Sequence, residues 1–113
     1  MSNKEGQGPN LDKLKVKRVK AIQKKLQGEL GAYDQAFTHL KEAKTFEDGL
    51  RITKSIEAAF HNILQSLRAL KSVSPFDYKQ QSDIIKHISS WRRRMDEELL
   101  RLDENYERDM GED

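Results

Sequence analysis

An all-α chain folded as a three-helix antiparallel up-down-up bundle, with long first and third helices, is what the sequence predicts on three observations. Apolar residues recur at steps of three and four along three separate stretches, the signature of amphipathic helices with one buried stripe. Each stretch opens on a polar residue suited to cap a helix: Asn10, Thr45 and Ser74. Two prolines and six glycines in 113 residues are too few to punctuate a compact sheet protein. A chain of this length holds one core and not two.

Residues 1–10 (MSNKEGQGPN) are polar, carry Gly and Pro and show no period, so a disordered segment is expected there. From Leu11 the apolar residues fall at Leu11, Leu14, Val19, Ile22, Leu26, Leu30, Tyr33, Phe37 and Leu40. That spacing predicts a first helix over about 11–44, with Asp12 in the first turn where the helix dipole favours an anion. Gly28 and Gly31 lie inside it, each costing about 1 kcal/mol relative to Ala. They are expected to mark a bend or to admit a close neighbouring helix.

Thr45-Phe46-Glu47-Asp48 places an acid three residues after a cap, close to a capping box, and starts a second helix over about 46–72. Its stripe is Ile52, Ile56, Phe60, Ile63, Leu67 and Leu70, with Ala59 as a small filler. Ser74-Pro75-Phe76-Asp77 is the clearest boundary: a Ser cap, a Pro at the first helical position where its missing N–H costs nothing, and an acid three residues on. The third helix, about 75–108, carries Ile84, Ile88, Trp91, Met95, Leu99, Leu102 and Tyr106, spaced 4, 3, 4, 4, 3, 4. Short connections make successive helices antiparallel. First and third helices near 50 Å long at 1.5 Å per residue should project beyond a shorter second helix. Projecting amphipathic ends invite a partner, so a homo-oligomer is a candidate state.

Composition excludes several functions. There is no cysteine, hence no disulfide, thiolate nucleophile or Cys-ligated metal, which suits a reducing, cytoplasmic location. No apolar run approaches the roughly 18 residues of a membrane span, and the first ten residues lack the apolar core of a signal peptide. Phosphate-binding glycine loops, nucleophile elbows and zinc-finger spacings are absent, so no enzyme, cofactor or metal is expected. Glu57 with His61 and Asp83 with His87 share helix faces at i, i+4, but the Glu-x-x-His pairs of di-iron bundles are missing. Surface pairing within each helix is the expected role.

The net charge is only +2, yet it is split. Residues 1–25 carry eight Lys/Arg against Glu5 and Asp12; residues 95–113 carry nine Asp/Glu against Arg101 and Arg108. In the first helix Lys13, Lys17, Lys20 and Lys24, spaced 4, 3, 4, share one strip opposite the apolar stripe. This strip is the candidate partner- or anion-binding site. It suits an acidic protein surface and, as an alternative, nucleic-acid phosphates. Arg92, Arg93 and Arg94 fan round the helix at about 100° per residue and form no common patch; Arg93 with Glu97 and Arg94 with Glu98 are expected intrahelical pairs. The acidic tail, residues 109–113, should fray, because negative charge opposes the dipole at a helix C-terminus.

From Phe60 to Asp96 the run FHNILQSLRALKSVSPFDYKQQSDIIKHISSWRRRMD resembles the second and third helices of BAG domains, three-helix bundles that bind the ATPase domain of Hsp70. The likeness lies in the apolar frame Phe60, Ile63, Leu64, Leu67, Leu70, Ile84, Ile85, Ile88 and Trp91. It implies the bundle fold and, more weakly, a co-chaperone role. In that family the chaperone contacts are acidic residues on the second helix and a basic pair plus Gln on the third. The matching positions here are Ala58, Arg68, Gln81, Ser82 and Ser89, so those contacts do not carry over. The expected function is therefore a non-enzymatic helical module for protein interaction or assembly.

Overall fold

In the computed structural model the backbone is described for residues 2–111 and the side chains for residues 11–104. The described residues are helical, with no strand. The order is α1 (Ser2–Glu42), α2 (Phe46–Val73), α3 (Pro75–Lys79), α4 (Ser82–Ser89) and α5 (Trp91–Gly111). These are four helices of eight residues or more and one five-residue helical turn, where a single third helix is expected after α2.

α1 begins at Ser2, well ahead of the expected start, so Asn10 lies inside it rather than at its cap. Gly6, Gly8 and Pro9 are poor helix formers, which is why the segment reads as irregular. Extending an existing helix costs far less than nucleating one, and the helix rooted at Leu11–Glu42 carries the turn onward. α2 starts where its cap predicts: Thr45 has extended backbone and its hydroxyl accepts from the Asp48 N–H at 3.1 Å.

Ser74 ends α2 and starts α3. Its backbone N–H donates to the Leu70 carbonyl at 2.7 Å, its hydroxyl accepts from the Asp77 N–H at 3.3 Å, and the same hydroxyl donates to the Asp77 carboxylate at 2.6 Å. The interruption at Gln80 and Gln81 has a local cause. The Gln81 N–H tightens onto the Tyr78 carbonyl at 3.0 Å, and the Gln81 side-chain amide joins the Gln80 N–H on the Asp77 carbonyl, each at 3.2 Å. At the second interruption Ser89 donates its hydroxyl back to the Lys86 carbonyl at 2.8 Å, a bond that competes with helix continuation at a Ser-Ser pair. The apolar stripe runs on through both breaks, because its spacing fixes a face and not an unbroken backbone.

The core is a single seam. Leu26, Tyr33, Phe37 and Leu40 of α1 meet Ile56, Ile63 and Leu67 of α2, closed by Ile88, Met95 and Leu102. Each such buried side chain contributes roughly 1.5–3 kcal/mol. Trp91 packs on the edge of this seam, stacked on Phe60 with ring centroids 4.5 Å apart. Between α1 and α2 the buried Ser66 hydroxyl donates to Glu29. At the end of α1, Arg101 donates to the carbonyls of Leu40, Lys41 and Ala43 at 3.3–3.4 Å, supplying donors to carbonyls that a helix terminus leaves unpaired.

Gly28 and Gly31 are exposed, and a Cβ at either would meet nothing within 4 Å. Neither admits a close neighbour, and α1 continues through both. The close approach occurs at Gly49, where a Cβ would lie 2.5 Å from a Leu102 methyl and 3.2 Å from one of Leu99.

The molecule is a rod of 84 × 18 × 14 Å with a radius of gyration of 20.5 Å, against about 13 Å for a compact domain of about 100 residues. Its 8379 Å² of accessible surface exceeds the roughly 6400 Å² expected for a compact monomer of its mass. α1 and α5 each run past the rest of the bundle at one end. Ser72 and Val73 at the foot of α2 sit beside Leu11, Leu14 and Arg18, so α1 extends below that level. Arg101 lies level with the top of α1, and α5 continues past it to Gly111. The expected fraying of the acidic tail falls partly on residues 112–113, outside the described backbone.

Candidate functional site

The row Lys13, Lys17, Lys20 and Lys24 is exposed along its whole length. Val19 and Leu26 of the same helix are buried, which turns the row outward, opposite the seam. A helix advances about 100° per residue, so Leu14 and Val16 flank the row, about 80° to either side. Both are more than half exposed. The row is therefore a basic ridge with apolar shoulders. Lys15, Val16, Val19 and Lys20 continue into a groove closed by Ser74, Phe76 and Asp77 of the α2–α3 junction. Phe76 is 71% exposed there. Phe76 stands on no apolar stripe of the sequence; its place directly after a cap and a proline is the one local signal that it faces outward.

The opposite end is built the other way. The outer face of α5 carries the exposed Leu100, 57% accessible, with Asp96, Glu97 and Glu104, all exposed, within about 60° of it around the helix. Arg93 is the one cation on this face among the described residues. A pocket at this end is lined by Thr45, Phe46, Glu47 and Asp103.

Several expected pairings give way to other contacts, some of them between helices. Glu98 pairs with Arg101 at 2.9 Å, while the Arg94 guanidinium lies 4.1 Å from the centroid of the Phe37 ring, a cation–π contact across the seam. His87 pairs with Asp34 of α1 at 2.7 Å rather than with Asp83, and its ring meets Tyr33 edge-on. His61 packs edge-on against Phe60. For Arg94 and His87 a partner on a packed neighbouring helix competes successfully with one on the same helix, which sequence spacing alone does not register. Among the described residues no three His, Asp or Glu side chains are grouped as metal ligands would be.

Tyr33 is fully buried, and its hydroxyl has no hydrogen-bond partner of good geometry among the described residues. Burial raises its pKa above the ordinary tyrosine range, opposed by the Arg94 guanidinium and reinforced by the Asp34 carboxylate. Its ring packs edge-on against Phe37 and His87. No helix among the described residues is long and apolar enough to cross a membrane.

No family model matches the chain, and neither a curated protein nor a solved structure matches it.

Proposed function

We propose that this chain is a non-enzymatic helical module that binds macromolecules through the outer helix faces at its two charged ends. In this reading α3, α4 and α5 act together as one interrupted third arm of an up-down-up bundle, and the protein works in the cytoplasm. The observation that carries it is the placement of large exposed side chains. Leu11, Leu14, Val16 and Phe76 gather at the basic end, and Leu100 stands amid acids at the other. Apolar side chains grouped within a charged surround are the usual composition of an interaction surface.

A photo-reactive phenylalanine analogue placed at Leu14 or at Leu100 tests this in cells expressing the protein, with the exposed Glu57 in the middle of α2 as control. Covalent protein adducts at the ends, above the level at Glu57, are expected. Equal labelling at all three positions contradicts the reading.

A second reading, nucleic-acid binding by Lys13, Lys17, Lys20 and Lys24, draws on the continuous exposure of that row and on Phe76, an exposed ring beside Lys20 that offers a base a stacking surface. It predicts single-stranded nucleic-acid binding whose logarithmic salt slope is about −3 for four phosphate contacts. No retention at low salt removes it. A co-chaperone role on Hsp70 has less behind it, because Ala58, Arg68, Gln81, Ser82 and Ser89 supply none of the charged contacts it needs.

A further inference from the structure

We infer that the partner of each end is the opposite end of a second copy of this chain, joined as a closed antiparallel dimer; this rests on the end-face reading above and names its partner. The basic ridge of α1 offers Lys13, Lys17, Lys20 and Lys24 between Leu14 and Val16. The outer face of α5 offers Asp96, Glu97 and Glu104 around Leu100, with Arg93 as the one cation there among the described residues. The two faces are opposite in charge and each presents exposed apolar side chains; the ridge runs about three helical turns and the acidic face about two. Within one chain they cannot meet. Val73 fixes the ridge at the foot of the rod and Arg101 fixes the acidic face at its top, in a molecule 84 Å long.

A second copy turned end over end removes that separation. The acidic face lies level with about residues 37–44 of α1, as the contacts of Arg94 with Phe37 and of Arg101 with Leu40 show. The ridge spans residues 13–24. The midpoint between them falls near Glu29, close to the middle of the length over which α1 and α2 pack. Inverting a copy about that point brings both ridge–face pairs into register at once. The α1–α5 pairs so formed are antiparallel, and the contact is duplicated by symmetry, as in an isologous dimer. Duplication matters because a single pair of short helix faces falls below the roughly 800 Å² per partner of a standard stable interface. Long-range attraction between unlike ends also steers the encounter and disfavours the parallel arrangement, in which like charges meet.

Sedimentation equilibrium of the full chain tests the proposal at about 0.01 M and about 1 M salt, between which the Debye length falls from about 30 to about 3 Å. The wild type should be a dimer at low salt and weaken at least about tenfold in dimer Kd at high salt. K13E/K17E/K20E/K24E and D96K/E97K/E104K alter only exposed positions, so both should keep wild-type circular dichroism and each alone should be monomeric. Mixed together they should restore a one-to-one dimer, because each then offers the other two complementary contacts. A wild-type monomer at low salt overturns the proposal, as does a dimer indifferent to both sets of substitutions or an open-ended series of larger species. Photo-adducts at Leu14 or Leu100 with some other protein, alongside a monomer, would leave the end-face reading standing and remove only the self-association.

Discussion

Replacing Tyr33 by Phe deletes a buried hydroxyl that has no partner of good geometry, while leaving the ring in the seam. An unpaired buried polar group costs about 1–3 kcal/mol, so Tyr33→Phe should leave stability unchanged or raise it by about 1 kcal/mol in urea unfolding. It should also change the alkaline limb. Folded Tyr33 keeps its proton to higher pH than the unfolded chain, because burial disfavours the phenolate. Its contribution is intact below the unfolded value of about 10 and is lost as pH rises through that value toward the folded one. The variant should therefore lose less stability than the wild type above about pH 10. Arg101 is the second informative residue. It joins the end of α1 to α5 through three carbonyls, and Arg101→Ala should cost about 1–2 kcal/mol, from lost charge-assisted bonds and the uncapped helix end. A cost indistinguishable from zero would mean that water replaces the guanidinium at no loss.

Glycine substitutions separate intrinsic propensity from packing along the helices. Gly28→Ala and Gly31→Ala, with open space around each added methyl, should each stabilise by about 0.5–1 kcal/mol. Gly49→Ala should destabilise by about 1 kcal/mol net, because the methyl must displace the Leu102 and Leu99 side chains and overpacking outweighs the propensity gain. The contrast shows where sequence reasoning reaches. Stripe positions such as Leu26, Ile56, Ile63 and Leu102 are legible, since the period sets the buried face directly. The caps at Thr45 and Ser74 are legible too, being local chemistry. A glycine's surroundings, the turn of Arg94 from Glu98 to Phe37 and the exchange of His87 from Asp83 to Asp34 depend on which helix lies opposite. The breaks at Gln80–Gln81 and Ser90 escape because side chains competing for backbone groups leave the apolar period untouched. Of the binding faces, the lysine row can be read from its spacing. Phe76 and the cluster around Leu100 emerge only once the ends of the rod are known.

For the whole molecule the decisive features are length and polarity: a narrow rod with a basic foot, an acidic top and apolar side chains exposed at both. A thin seam gives such a rod little interior, and end faces gain most from a partner that brings opposite charge to each. The absence of cysteine from the sequence makes the arrangement directly measurable. Lys17→Cys and Glu97→Cys chains, mixed at low salt and mildly oxidised, place one thiol on the ridge and the other on the acidic face. An antiparallel dimer predicts a disulfide between the two kinds of chain that outcompetes Lys17→Cys self-pairing and disappears at about 1 M salt, where screening removes the attraction. Cross-linking no faster than that of Lys17→Cys with itself, or insensitive to salt, would contradict it.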